Sequence, residues 1–257
     1  MAAVLDVSNL GINFGGLQAL DDFNIQVNNR EIVGLIGPNG AGKTTVFNLL
    51  TNVYRPTKGG IKLTGADTAG KTTHTITRSG IARTFQNIRL FKSLSVIDNV
   101  KIALHNSMSY TALQACLRTL TYWREEAAAN ETSRELLSVF DMEELADAPA
   151  GSLPYGAQRR LEIVRALATN PKVLLLDEPA AGMNPSETAD LMRTIYDVRD
   201  KFDVAIILIE HDMSLVMGIC ERILVLNYGL IIAHGTPEEI RSNPLVVEAY
   251  LGQQRGE

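Results

Sequence analysis

The segment Gly37-Pro38-Asn39-Gly40-Ala41-Gly42-Lys43-Thr44, followed by Thr45, constrains this chain more than any other. It satisfies G-x-x-x-x-G-K-[ST], a pattern that a chain of this length meets by accident on the order of one time in a hundred at ordinary residue usage. Its three glycines let backbone N–H groups turn inward and approach phosphate oxygens closely. Ile32-Val33-Gly34-Leu35-Ile36 before the loop reads as a strand. A helix over about 43–52 follows, and its positive end faces the same anion. Lys43 then bridges the terminal phosphates of a nucleotide, and the Thr44 hydroxyl coordinates Mg²⁺. A strand–loop–helix of this kind calls for an α/β core.

The remaining sequence extends that core. Short β-type runs occupy 4–7 and 24–27, and residues 53–85 mix Gly, Thr and brief alternation such as Ile61-Lys62-Leu63, which predicts a β-rich lobe with turns. From about Ser95 to Phe140 the Ala, Leu and Glu content predicts helices, with Leu113, Leu117, Leu120 and Trp123 read as the small core of that helical lobe. After Pro149 helices alternate with the apolar strands 173–176, 204–209 and 223–226. Uninterrupted apolar runs suit strands covered on both faces of a parallel sheet. Thr236-Pro237-Glu238-Glu239 predicts a last helix start, with an N-cap, a first-position proline and acids against the positive helix end.

Composition narrows the function. A net charge of −5 argues against a dedicated nucleic-acid binder. No apolar stretch reaches the roughly 20 residues that span a bilayer, and MAAVLDVSNLG does not have the pattern of a signal peptide. Membrane work therefore falls to a partner. Cys116 and Cys220 have no metal-binding spacing and read as small buried hydrophobes in a reducing compartment.

Lys172-Val173-Leu174-Leu175-Leu176-Asp177-Glu178-Pro179 puts two carboxylates at the carboxyl end of a buried strand, where ligand chemistry collects in open α/β sheets. Asp177 can hold Mg²⁺ through water, and Glu178 can orient or deprotonate an attacking water. The strand 204–209 ends in Glu210-His211-Asp212, which brings an imidazole to the same edge, within reach of a terminal phosphate and of the catalytic carboxylate.

The ordered series of Phe14, the glycine loop, Gln86, a Leu-x-x-Gly-x-Gln-Arg segment, the Asp-Glu strand end and the His strand end resembles the nucleotide-binding subunit of ABC transporters over nearly the whole chain. That resemblance implies an α/β P-loop NTPase fold of the ABC ATPase type, with a mostly parallel core sheet, an antiparallel β lobe and a helical subdomain. It implies one ABC ATPase domain over 1–257, with the nucleotide-binding core and β lobe in 1–94 and 146–257 and the helical subdomain in 95–145. It further implies that Phe14 stacks on adenine, with a packing phenylalanine as the alternative. Gln86 is expected to touch Mg²⁺ at the junction of the lobes and move with nucleotide state, with an ordinary loop glutamine as the alternative. ATP is then clamped in a head-to-tail dimer between one loop and the opposite subunit's signature segment.

Where L-S-G-G-Q is usual, this chain has Leu153-Pro154-Tyr155-Gly156-Ala157-Gln158. Pro154 supplies neither hydroxyl nor N–H, and Tyr155 replaces a glycine. Asn184 stands where an aspartate is usual. Arg83-Thr84-Phe85-Gln86-Asn87-Ile88-Arg89-Leu90-Phe91, Ala180-Ala181-Gly182-Met183-Asn184-Pro185, Glu210-His211-Asp212-Met213, the run 233–240 and Tyr250-Leu251-Gly252 resemble most the ATP-binding subunits of bacterial high-affinity branched-chain amino-acid importers. The resemblance implies transmembrane permease partners, with residues 86–91 as the docking surface, and a second ATP-binding subunit, a sister chain rather than a second copy. It also implies an indirect link to a periplasmic or extracellular substrate-binding protein, and a place on the cytoplasmic face of the inner (plasma) membrane. A soluble ABC-type ATPase of DNA repair or translation is the main rival, but it would carry long coiled-coil inserts or two cassettes. A P-loop small-molecule kinase leaves the signature-like helix and His211 unexplained. A non-hydrolysing regulatory cassette stays open because of the altered signature.

Overall fold

Two hydropathy patterns divide the strands, and they build two different sheets. The computed structural model describes residues 3–105 and 108–251. Gly252 of the expected ending lies outside the described residues. In chain order the first elements are β1 (Leu5–Phe14), β2 (Leu17–Val27), β3 (Ile32–Ile36), α1 (Lys43–Leu50), β4 (Lys58–Leu63), β5 (Ala66–Asp67), α2 (Thr73–Ser79) and β6 (Ile81–Arg83). Helices α3 (Val96–Leu104), α4 (Ala112–Cys116), α5 (Leu120–Val139) and α6 (Tyr155–Leu167) follow. The chain continues with β7 (Val173–Asp177), α7 (Pro185–Phe202), β8 (Ala205–Ile209), α8 (Met213–Ile219), β9 (Arg222–Asn227), β10 (Leu230–Gly235), α9 (Pro237–Ser242) and α10 (Pro244–Leu251).

The chain divides into two compact units: Met1–Gln86 with Pro171–Glu257, and Asn87–Asn170. The helical segment expected at 95–145 falls inside the second, which also carries the signature-like segment.

In the first unit a six-stranded sheet has the order β10-β9-β3-β8-β7-β6. Its pairings are parallel except for β9 with β10. Every residue of β3, β7 and β8 is buried, which is why these strands read as unbroken apolar runs. The second sheet, β2-β1-β4-β5, is antiparallel. Its long strands mix buried and exposed residues. That mixture explains why β1 and β2 run well beyond the expected 4–7 and 24–27: only their most apolar ends look like strands in the sequence. Phe47 of α1 is fully buried in the core shared by both sheets.

Helix ends follow their capping residues. Asn184 and Glu187 form a reciprocal capping box at α7, with Pro185 in the first turn, and Thr236 with Glu239 does the same at α9. Helix α2 and strand β10 are among the elements that escaped the sequence reading. Helix α2 lies within the stretch expected to be β-rich: its Thr and Ile content suggests strand, but the Thr72 cap and Gly80 in the left-handed region close a short helix. Strand β10 pairs back on β9 through the Tyr228-Gly229 turn.

The second unit corrects two expectations about burial. Its core comes from Val96, Ile97, Val100 and Leu104 of α3, the second half of α5 (Ala129, Ser133, Leu136, Leu137) and the inner face of α6. Leu113, Leu117, Leu120 and Trp123 are instead 68%, 69%, 89% and 54% exposed. Their three- and four-residue spacing predicts a shared helix face but does not specify what packs against it. Cys116 is exposed as well, because α4 buries none of its residues, whereas Cys220 is buried as expected.

We predict that Phe47→Ala destabilises the protein by about 3–5 kcal/mol in urea unfolding. Asn184→Ala, which removes only the cap of α7, should cost about 1 kcal/mol. A smaller loss for Phe47→Ala than for Asn184→Ala would mean that α1 is not the packing centre described here.

Candidate functional site

The site lies in the first unit, where the loop after β3 meets the carboxyl ends of β7 and β8. Gly37 opens the loop with φ of 149°, and a Cβ there would stand 2.0 Å from the Leu226 carbonyl oxygen. Only glycine lets the loop run this close to β9. On its other side, Gly229 donates its N–H to the Ala41 carbonyl (2.9 Å) and accepts from the Asp21 N–H (2.9 Å). A Cβ at Gly229 would lie 2.8 Å from the Ala19 carbonyl oxygen, so this turn too requires glycine. The loop is therefore held between β9, the β9–β10 turn and β2.

Helix α1 begins with Gly42 as its N-cap and no side chain capping it. Val46 donates along the helix to the Gly42 carbonyl (3.0 Å), so the N–H groups of Lys43, Thr44 and Thr45 precede the helical ladder. An uncapped end of this kind suits an anion. The buried Lys43 ammonium donates to the carbonyls of Gly37 (2.6 Å) and Pro38 (2.9 Å) and so spans the loop. Burial lowers its pKa from the usual value, against the upward pull of Glu178 and Asp177. Thr44 is exposed and Thr45 half-buried at the mouth of the loop, while Asn39 and Gly40 are exposed and Pro38 and Ala41 buried.

Asp177 ends β7 in a buried ion pair, its Oδ2 accepting from Arg83 Nη2 (2.7 Å). Arg83 also donates to Asn48 Oδ1 of α1 (2.7 Å) and stands over the Phe47 ring. The sequence presents Arg83 only as part of a motif; its ion pair with Asp177 depends on β6 and β7 lying side by side, a long-range pairing.

Glu178 turns the chain at the strand end with φ of 49°, a left-handed conformation that costs a non-glycine residue about 1–2 kcal/mol. Its N–H still donates to the Ile209 carbonyl (2.9 Å). Its two carboxylate oxygens meet two of the expected residues: Oε2 accepts from Gln86 Nε2 (2.7 Å), and Oε1 lies 3.2 Å from His211 Nε2. Residues 86, 178 and 211 thus meet at one carboxylate.

Glu210, which sequence reasoning passed over, fixes this corner. Its buried carboxylate accepts from the N–H groups of Ala180 (2.7 Å), His211 (2.8 Å) and Asp212 (3.2 Å). The turn after Glu178 and the segment carrying His211 are pinned to one anion. Asp212 then caps α8, accepting from Ser214 and Leu215.

Phe14 is partly exposed at the end of β1 and meets Tyr54 edge-on at 5.2 Å. No three His, Cys, Asp or Glu side chains among the described residues form a metal cage. Mg²⁺ in phosphoryl-transfer sites characteristically keeps waters and phosphate oxygens as ligands, and Thr44, Gln86 and Asp177 suit that mode.

In the second unit, Pro154 is the N-cap of α6 and no side chain caps that end. Leu153 is buried, and Gln158 folds its amide back onto the Leu153 carbonyl (2.8 Å). Tyr155 is exposed, with its hydroxyl accepting from the buried Arg159 (2.9 Å), which also pairs with Glu162 (3.3 Å). Ala157 is buried and Gly156 half-buried behind them. Asn184 is taken up by its capping box.

We predict that Arg83→Met destabilises the protein by about 3–5 kcal/mol, because Asp177 is left as a buried, unpaired charge. The double variant Arg83→Met with Asp177→Asn should recover much of that loss. Urea unfolding of all four proteins closes the cycle, and strictly additive losses would show that the pair is not coupled.

A family profile described as ABC transporter matches residues 20–181, and one described as branched-chain amino acid ATP-binding cassette transporter matches 231–255. The chain is 48% identical over 250 residues to the high-affinity branched-chain amino acid transport ATP-binding protein BraF of Pseudomonas aeruginosa, covering 97% of this chain and 98% of that protein. It is 46% identical, with the same coverage, to the corresponding LivG protein of Escherichia coli K12. The fold matches a crystal structure of an ATP-binding cassette of an ABC transporter in its ADP conformation, with a TM-score of 0.85 at 30% identity, covering 98% of this chain and all of that one.

Proposed function

The chain belongs to the ABC transporter family, and from that premise we propose that it is the ATP-hydrolysing subunit that energises uptake of branched-chain amino acids. The observation that carries the catalytic reading is the meeting of Gln86 and His211 on Glu178, in the same unit as Lys43 and its loop. The cargo rests on BraF, LivG and the profile match at 231–255.

ATP lies with its phosphates on the N–H groups of the glycine loop and of the first turn of α1. Lys43 exchanges its loop carbonyls for the terminal phosphates, and Phe14 stacks beneath adenine. Mg²⁺, when bound by Thr44, Gln86 and, through water, Asp177, neutralises phosphate charge. Glu178 orients the attacking water and accepts its proton. His211 steadies both that carboxylate and the γ-phosphate. The chain's part is positioning and charge stabilisation.

No helix among the described residues is long and apolar enough to cross a membrane. In our reading, which rests on BraF and LivG, the subunit acts on permease subunits from the cytoplasmic face of the inner (plasma) membrane. The segment 86–91, in which Gln86, Asn87, Arg89 and Phe91 are exposed, is the one we assign to docking. The exposed Leu113, Leu117, Leu120 and Trp123 offer a second apolar contact. A periplasmic or extracellular binding protein delivers cargo to the permease and has no contact with this chain.

The altered signature bears on the partner. A serine hydroxyl at the Pro154 position would donate to the opposite ATP, a bond to a charged group contributing about 1.5–3 kcal/mol. This chain lacks it, so the site capped by its own signature closes less firmly than one capped by L-S-G-G-Q. A sister ATPase with an intact signature, capping the ATP held by Lys43, fits better than a second copy.

We expect Glu178→Gln to bind ATP normally while turnover falls about 10²–10⁴-fold. Lys43→Ala should weaken ATP binding itself. Equilibrium binding and ATPase assays, with and without permease in proteoliposomes, separate the two defects. Substantial turnover in Glu178→Gln would remove it from the chemistry.

In a separate experiment, the isolated chain carrying Glu178→Gln should dimerise weakly with ATP by sedimentation. A tight homodimer, with no second ATPase co-purifying from native membranes, would overturn the sister-subunit reading.

A further inference from the structure

A cavity of about 640 Å³ opens in the first unit, lined by residues of α8, α9 and α10 and by Ile36. Its size falls within the range of small-molecule sites. Met213, Met217, Ile240, Val246 and Tyr250 are among the residues that line it. Among the described residues, Arg241 is the one charged residue in the lining, and no carboxylate accompanies it there. Arg241 is exposed and forms no salt bridge among the described residues.

This combination defines a ligand chemistry. An apolar cavity rewards an aliphatic body, and methionine walls adapt to its shape. A guanidinium beside the cavity selects a carboxylate, which it can grip with two parallel N–H donors. Since no acidic side chain among the described residues lines the space, an ammonium group has no charged partner there, only the Ser214 and Tyr250 hydroxyls. A free amino acid, which carries an ammonium beside its carboxylate, is therefore mismatched. The volume exceeds what a short branched acid fills. We propose that this cavity binds a medium-chain aliphatic carboxylate, with its head on Arg241 and its tail between Met217 and Val246.

The cavity is positioned to influence the nucleotide loop. Ile36 lies in its lining and directly precedes Gly37, and the Tyr250 hydroxyl lies against the Gly37 backbone N–H. Helix α8 starts at Met213, two residues after His211. A ligand that orders these walls shifts nucleotide affinity, and nucleotide shifts ligand affinity by the same factor. Ligand binding stands apart from the nucleotide reading; the coupling rests on it.

The test uses the full chain without nucleotide and decanoate below its micelle concentration, measured by calorimetry. Affinity should rise about fourfold per added methylene from octanoate to decanoate. Decanol, decylamine and leucine should bind at least tenfold more weakly than decanoate. Arg241→Gln should remove the preference for decanoate over decanol, and Met217→Trp should block the cavity. Val246→Phe provides a second blocking variant should Met217→Trp fail to fold. Equal binding of decanol and decanoate, undiminished binding by Arg241→Gln, or undiminished binding by a folded cavity-filled variant would overturn the site. Titration of a non-hydrolysable ATP analogue with and without decanoate then reads the coupling. Unchanged affinity overturns the coupling alone, whereas failure of the analogue to bind at all would count against the nucleotide site and leave the decanoate result standing.

Discussion

The close approach of the phosphate loop to β9 is the constraint on which the rest of the site depends. With the Gly37 Cβ position 2.0 Å from the Leu226 carbonyl oxygen, the loop has one path, and the β9–β10 turn holds its far side through Gly229 and Ala41. That path delivers α1 with its end uncapped and points Lys43 back across the loop. Through Asn48, α1 also reaches Arg83, and through Arg83 it reaches Asp177. Loop, helix and acidic strand end are thus parts of one bonded assembly, and a shift in any of them alters the others.

The second constraint is the division of labour between two glutamates. Glu210 is buried and accepts three backbone N–H bonds, an arrangement that holds a carboxylate in place as structure. The Glu178 carboxylate is met by the side chains of Gln86 and His211, and the residue sits in a strained backbone conformation. Strain of this kind persists where the surroundings over-determine it, and it clusters at functional sites. Here Glu210 does the determining, because it pins Ala180 on one side and His211 on the other. The carboxylate suited to chemistry can therefore stay partly accessible without losing its position.

What was legible in the sequence followed from local physics. The glycine loop, the unbroken apolar strands β7 and β8, and the caps at Asn184 and Thr236 each carry their signal within a few residues. Residues 86, 178 and 211 were legible as candidates because two follow buried strands and the third sits in a recognisable motif. What could not be read depended on long-range pairing. Arg83 and Glu210 look like ordinary charges until β6, β7 and β8 lie side by side. The exposed Leu113, Leu117 and Leu120 were misread because helical spacing gives a face, while burial needs a partner surface. Helix α2 was missed because two end residues, Thr72 and Gly80, outweigh the strand propensity of the residues between them.

The two units carry unequal departures from the family pattern, and that inequality has a physical reading. Everything that would hold this chain's own ATP is intact: the loop, Asp177, Glu178, Gln86 and His211. The changes fall on Pro154 and Tyr155, in the segment offered to another subunit, and on Asn184, which is fully engaged in capping α7. Pro154 is the N-cap of α6 with φ of −53°, which its ring accommodates, and Tyr155 is anchored by Arg159, which Glu162 holds in turn. The segment is therefore well ordered but has less to give a phosphate: a hydroxyl and an N–H fewer at Pro154, and one bare glycine backbone fewer at Tyr155. In the proposed two-chain site, this chain would keep the receiving half and weaken the donating half, which is the basis of our proposal of an unequal pair.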